Sequence, residues 1–457
     1  MKRILAFLPL LLSAAAPAAD YTALDRYVAT PDASYRYSLA RTATGAGVTV
    51  YQLDLVSQSW LTPAEVDRTE WKHSLNIAVP SRTPPAAALL FINGGSNRDA
   101  PAPPDPLLAP LAAQAGVVIV EVGQVPNQPL RFSEDTRARS EDALIAYSWD
   151  KYLRTGDERW PLRLPMTKAV VRAMDAAVEF LAGLPAGPVA IRNFIVTGGS
   201  KRGWTAWTAA AVDPRVMAAA PLVIDIPNVE ASFIHHWRAY GFWAPAIRDY
   251  EEAGIMTWFG MPQIRGLLEI EDPYEYRERL TLPKYCVNST GDQFFLPDSS
   301  QFYFHDLPGE KYLRYVPNTD HSLASPEAAL NLLAWVQAIV SNHPRPRFYW
   351  RAHREEGSLL LRVLDRPAKV TLWKASNPGA RDFRLESIGP AWQSAPVEGD
   401  NGIYFVEQPR PEQGWTAFFL ELTYPGPAAG LPLVFTTEVV VTPDVYPFEP
   451  PAPGTRD

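Results

Sequence analysis

The chain has 457 residues, long enough for two or three domains; 47% are hydrophobic and 20% charged, so a sizeable core can be buried and global disorder is excluded. Its formal charge is −8, with 42 Lys and Arg against 50 Asp and Glu and no basic run, which argues against nucleic acid or an anionic membrane surface as partner. One cysteine, Cys286, leaves no material for an internal disulfide framework or a cysteine-based zinc site.

Residues 1–19 carry a basic start at Lys2 and Arg3, a short apolar run over 4–12 and small residues over 14–19. This is the pattern of a secretory signal peptide, too short to span a bilayer, so a periplasmic or extracellular protein is expected. No later stretch reaches the length of uncharged apolar residues that a membrane span needs. Residues 35–39 and 48–53 alternate with period two around the turn at 44–47 and read as a hairpin, with a third strand at 71–79. The continuous apolar runs 86–92 and 117–122 fit strands buried on both faces of a parallel sheet, with a crossover helix at 106–115 between them. Helical periodicity covers 167–184, a short buried strand follows at 193–197 and a helix at 204–212. Further strands are expected at 217–224, 285–290 and 312–316, with a closing helix at 326–341. Repeated β-α alternation after antiparallel strands describes an α/β architecture: an open, mostly parallel sheet with helices on both faces, over 20–345. Residues 226–280, rich in aromatic residues, interrupt the rhythm as a helical insertion. Residues 346–445 hold short alternating segments separated by Gly, Pro and Asn, the signature of a separate β-sandwich, and 446–457 read as a Pro-rich tail.

The sharpest local signal is the stretch 195–204, IVTGGSKRGW. A buried strand runs into Gly-Gly-Ser and a helix follows at once. A nucleophile on such a tight strand-to-helix turn needs small neighbours. Gly198 lies two before Ser200, but the second glycine is displaced to Gly203, giving G-x-S-x-x-G. The competing reading is an anion-binding loop at a helix N-terminus. The order Ser, acid, His is then met by Asp292, at the end of the 285–290 strand, and by His321, between the last strand and the last helix. Asp225, at the end of the preceding strand, is the alternative acid; chain position favours Asp292. A backbone oxyanion hole would take one N–H from Lys201 and a second from the loop at 91–97, through Gly94 or Gly95. The Lys201 and Arg202 side chains either add positive charge there or are solvated. No motif for a nucleotide or other cofactor is present, and no His/Asp cluster has metal-ligand spacing, so neither cofactor nor metal is expected.

The segments 127–130 (NQPL), 139–144 (RSEDAL), 200–204 (SKRGW), 238–242 (RAYGF), 290–298 (TGDQFFLPD) and 435–438 (FTTE) keep their order along nearly the whole chain. In them the chain resembles the PhoPQ-activated pathogenicity-related proteins. The resemblance implies an α/β-hydrolase-like fold whose serine, aspartate and histidine map onto Ser200, Asp292 and His321. Gln293 stands where an acidic residue is commoner in that family, a difference beside the acid.

Two classes of function remain: a serine hydrolase acting by acyl transfer on a small ester or peptide substrate, and a non-catalytic exported binding or signalling protein on the same fold. If the insertion 226–280 caps the site, Trp237, Tyr240, Phe242, Trp243, Tyr250 and Trp258 would wall a pocket. Glu134, Glu141, Glu251 and Glu252 are the carboxylates that could hold a free amino terminus there, with Glu251 the one placed in the pocket; that would mark an aminopeptidase or dipeptidyl peptidase. With none of them in the pocket, a neutral ester is the better substrate.

Overall fold

A computed structural model describes residues 21–82, 86–97, 103–185 and 187–451. The expected signal peptide, 1–19, and the end of the expected tail lie outside the described residues.

A short helix, α1 (Ala23–Ala29), opens on a capping box between Thr22 and Asp25. The hairpin of β1 (Arg36–Gly45) and β2 (Val48–Ser59) then turns at Ala46 and Gly47, both at positive φ, as a two-residue turn between right-twisted strands requires. β3 (Glu70–Pro80), β4 (Ala87–Ile92), α2 (Leu108–Ala115) and β5 (Val118–Val122) follow where the sequence places them. After a two-residue pair, β6 (Leu130–Arg131) with β7 (Ala138–Arg139), come α3 (Glu141–Thr155) and α4 (Arg163–Ala182). Then come β8 (Asn193–Gly199), α5 (Lys201–Val212) and β9 (Val216–Leu222). The insertion is helical, as expected, with α6 (Val229–Tyr240), α7 (Arg248–Glu252), α8 (Pro262–Glu271) and three 3-10 turns. β10 (Lys284–Ser289), β11 (Lys311–Val316) and α9 (Pro326–Val340) complete the alternation.

In the sheet the order β3-β5-β4-β8-β9-β10-β11 puts β8 at the centre, and β4, β5, β8, β9, β10 and β11 run parallel. Both faces are covered. Along β4, Ala88, Leu90 and Ile92 pack into the core shared with α1, α3, α4 and α5, while Leu89 joins the core under α2 and α9. Burial on both faces is why these strands read as unbroken apolar runs rather than alternating ones.

Residues 346–445 do not stand apart as a β-sandwich. Of their strands, β12 (Phe348–His353), β13 (Ser358–Val363) and β16 (Ile403–Glu407) form a small antiparallel sheet. The others extend the main sheet: β14 (Lys369–Asn377), β15 (Gln393–Pro396), β17 (Trp415–Ala428), β18 (Leu431–Thr436) and β19 (Val440–Thr442). β18 pairs antiparallel with β11 at Leu313 and Thr436, and the order continues β11-β18-β17-β14-β15. An alternating segment specifies one covered face but not its partner strand. Here the open edge of β11 takes the partner and is no longer exposed. Buried polar contacts seal the junction: Arg314 donates to Glu421 at 2.5 Å, and Tyr285 donates to the Val434 carbonyl at 2.8 Å. A short α10 (Leu385–Ile388) lies against the loop holding Gly291, where Leu385 N–H donates to the Gly291 carbonyl at 3.0 Å.

The displaced glycine of the motif has a packing reason. A Cβ on Gly203 would lie 2.7 Å from the Gly198 carbonyl oxygen and 2.9 Å from Ile224 Cγ2, so only glycine lets α5 sit this close to β8 and β9. Gly203→Ala is therefore expected to destabilise the fold by about 1–3 kcal/mol through overpacking, read as a lower urea midpoint at unchanged m-value.

Candidate active site

Ser200 sits between the end of β8 and the start of α5 at φ 56°, ψ −129°, outside the regions that an L-residue prefers. Such strain costs on the order of 1–3 kcal/mol and persists only where surrounding structure enforces it. The enforcing contacts are close: Ser200 N–H donates to the Leu222 carbonyl at 2.8 Å, and a Cβ on Gly198 would meet the Arg202 backbone at 2.9 Å. The turn lifts Oγ clear of the sheet's C-terminal edge, where the loops after β10 and β11 also end.

Those loops supply the partners. His321 Nε2 lies 2.8 Å from Ser200 Oγ, and His321 Nδ1 lies 2.8 Å from Asp292 Oδ2. The other Asp292 oxygen accepts from the Phe294 and Phe295 backbone N–H groups, at 2.7 and 3.3 Å. With an acceptor on its Nδ1 side, His321 carries its proton there and leaves Nε2 to accept from the serine hydroxyl. Asp292 is buried, whereas the His321 side chain is 19% exposed, within reach of substrate and water. Gln293 accepts from the His321 backbone N–H at 3.0 Å, and the Phe294 ring packs on the imidazole at 4.2 Å between centroids, tilted by 40°. Sequence reasoning flagged Gln293 as a departure without seeing this bracing role and missed Phe294, because neither signal is local.

The rival acid, Asp225, does not touch His321. It is buried three residues beyond the end of β9 and accepts from the Tyr303 and Tyr315 hydroxyls, each at 2.6 Å. Burial pushes its pKa up to about 7, against the lowering effect of the two hydroxyls.

Around the proposed oxyanion hole the outcome is mixed. Lys201 is the first residue of α5, where a backbone N–H has no intrahelical acceptor. Gly94 spends its N–H on the Asn93 side chain at 2.8 Å, which leaves Gly95 as the glycine for this role. Gly95, at φ 131°, has its carbonyl fixed by Gln128 Nε2 at 3.0 Å. Gly94 instead makes room for Arg202: a Cβ there would lie 2.7 Å from Nη2. The Lys201 and Arg202 side chains are neither solvated nor free. Arg202 grips Glu141 through two bonds at 2.8 and 2.7 Å, and Lys201 Nζ lies 2.8 Å from Glu141 and 3.1 Å from Asp142. Burial opposes the Glu141 charge, but these two cations outweigh it and hold its pKa down to about 2. The lock pins the first turn of α5 to the start of α3, and with it the Ser200 backbone.

The insertion does close over Ser200. A cavity of about 40 Å³ is lined by Ser200, Lys201, Asp142 and Trp204 together with Phe233, His236, Ile247 and Tyr250 from the insertion. Trp237, Tyr240, Trp243 and Glu251 do not line it, and nor do Phe242 and Trp258. Trp237 and Trp243 pack on each other at 5.0 Å, Tyr240 packs on His236 at 4.7 Å, and Glu251 is exposed on α7. The aromatic residues of the insertion are mostly its own core; from α6 and α7 the rings that line the cavity are those of Phe233, His236 and Tyr250.

A parallel sheet in this order, with a strained serine after its central strand and an acid and a histidine after later strands, is an α/β-hydrolase fold. The chain belongs to the PhoPQ-activated pathogenicity-related protein family, whose model matches residues 24–384. It is 37% identical to autocrine proliferation repressor protein A of Dictyostelium discoideum, over 93% of this chain and 92% of that one. Among solved structures it is similar to an acetyl xylan esterase from Paenibacillus sp., with TM-score 0.48 and 15% identity over 69% of this chain and 91% of that one. A glucuronoyl esterase from Solibacter usitatus matches with TM-score 0.42 and 14% identity over 69% and 91%.

Proposed function

We propose that this protein is a serine ester hydrolase working by acyl transfer. The observation that carries the reading is the unbroken chain Ser200 Oγ, His321, Asp292, with both links at 2.8 Å, on a strained strand-to-helix turn. Ser200 Oγ attacks the ester carbonyl carbon and passes its proton to His321 Nε2. The developing oxyanion is met by the backbone N–H groups of Lys201 and Gly95. The carbon–oxygen bond to the alcohol breaks, and His321 returns the proton to the leaving oxygen. Water, deprotonated by the same histidine, then releases the acid and restores Ser200.

An amine-recognising peptidase is less well supported. Glu134 pairs with Lys151, Glu141 and Asp142 are neutralised by Lys201 and Arg202, and Glu251 and Glu252 are exposed on α7. Among the described residues, the cavity thus offers no uncompensated carboxylate for a free amino terminus. Export, resting on the leader pattern of 1–19, is part of the proposal; a mature chain found by N-terminal sequencing to retain Met1 in the cytoplasm would remove it.

The test of the hydrolase reading is a fluorophosphonate probe on the purified protein. Wild type is expected to become labelled and Ser200→Ala to remain blank. A wild type as blank as the variant would leave a binding or signalling protein on a hydrolase fold.

A further inference from the structure

Two cavities of unequal size meet at Ser200, and the position of His321 decides which half of a substrate each takes. The cavity of about 40 Å³ under the insertion borders Ser200 and Lys201 but not His321. The second, about 390 Å³, lies between β4, α2 and α9, with both Ser200 and His321 in its lining. Leu89, Phe91, Leu111, Ile119, Leu332 and Leu333 make its walls apolar. When the tetrahedral adduct collapses, the proton on His321 Nε2 must go to the departing oxygen. The leaving alcohol therefore occupies the side that His321 borders. The acyl group takes the other side, where the Lys201 N–H stands near the carbonyl oxygen.

Size then sets the substrate class. The smaller cavity offers about a tenth of the space of the larger one, so it takes the smaller half of the ester. Building on the acyl-transfer reading, we propose that the substrate is an ester of a short acyl group, acetyl to butyryl, with a bulky apolar alcohol. In the first step the Ser200 Oγ–acyl bond forms, the acyl–alcohol oxygen bond breaks, and the serine proton leaves on the alcohol. Water then cleaves the acyl-serine to the short acid.

Two isomeric esters separate this from its opposite. Hexyl acetate and ethyl hexanoate have the same atoms, with the long chain on the alcohol in one and on the acyl group in the other, and both release a simple primary alcohol. Each buried methylene contributes about fourfold, so four of them favour hexyl acetate by on the order of 100-fold in kcat/KM if the alcohol cleft is the one that accepts a chain. Ile247→Ala, which enlarges the small cavity, is expected to narrow that ratio at least about tenfold. Leu332→Trp, which fills the cleft, is expected to lower hexyl acetate relative to ethyl acetate. Equal rates for the isomers, or a preference for ethyl hexanoate, would overturn the assignment while leaving a serine hydrolase. Turnover of neither ester by a protein whose Ser200 takes the fluorophosphonate would overturn it as well, and turnover of neither with no labelling would remove the hydrolase reading beneath it. The isomer pair needs only wild-type protein, so it decides even where a variant fails to fold.

Discussion

Ser200→Ala is expected to lower kcat for ester hydrolysis by on the order of 10⁴- to 10⁶-fold, with a urea midpoint close to that of the wild type. The size of the loss follows from what the hydroxyl does. It is the atom that bonds to the acyl carbon, and without it only direct attack by water within the cavity remains. Stability should barely move, because alanine keeps the Cβ and occupies the same φ of 56° under the same Leu222 hydrogen bond. What is lost is one part-buried hydrogen bond to His321, worth about 0.5–1.5 kcal/mol, partly regained by water. His321→Ala should cost a comparable factor, since an unactivated hydroxyl is a weak nucleophile. The two residues act as a unit, so the double variant should be no slower than the poorer single one. Additive losses in steady-state kinetics would mean that Ser200 and His321 do not share a proton and that the arrangement is only structural.

How far the site could be read in the sequence depended on how local each signal is. Ser200 announced itself through its neighbours, since a buried strand, two glycines and an immediate helix are all contiguous. Asp292 and His321 followed from the order of the strands, and the structure joins them through 2.8 Å contacts. The bracing around them was not legible. Glu141 lies far from Lys201 and Arg202 in the chain, and its ion pairs exist only because α3 crosses the start of α5. α3 was itself missed, because Leu144, Ile145, Ala146, Ser148 and Trp149 are all buried and blur a one-sided stripe. α4 begins earlier than its periodicity suggested, at Arg163, since Arg163 and Lys168 are buried polar residues on an otherwise apolar surface. Arg163 is held by the Lys201 carbonyl at 2.7 Å and stacks on Trp204. The C-terminal strands were found but their partner was not. Period-two alternation in 416–422 fits a sandwich layer and a continuation of the central sheet equally, and only the free edge of β11 distinguishes them.

Asp292→Asn should cost about 10⁴-fold in kcat, although the side chain hardly changes shape. The reason lies in how the amide must orient. One Asp292 oxygen accepts two backbone N–H groups, from Phe294 and Phe295, so the asparagine carbonyl is held there. Its NH₂ group is then aimed at His321 Nδ1, which can only accept. The ring is driven into the tautomer with the proton on Nε2, facing the Ser200 hydroxyl with a donor where a base is needed. Asp225→Asn is the matched control from the rival acid. Its carboxyl meets Tyr303 and Tyr315 and not His321, so kcat should stay within about tenfold of wild type. Its effect belongs to stability. Burial raises the folded pKa of Asp225 to about 7, above the unfolded carboxyl value of about 3.9, so folding tightens its hold on the proton. That contribution is full below about pH 4 and is lost as the pH rises through about 7. Asp225→Asn should flatten that part of the pH dependence of the urea midpoint while leaving the rate nearly intact. If Asp225→Asn instead reproduces the 10⁴-fold kinetic loss and Asp292→Asn does not, the acid of this site is Asp225.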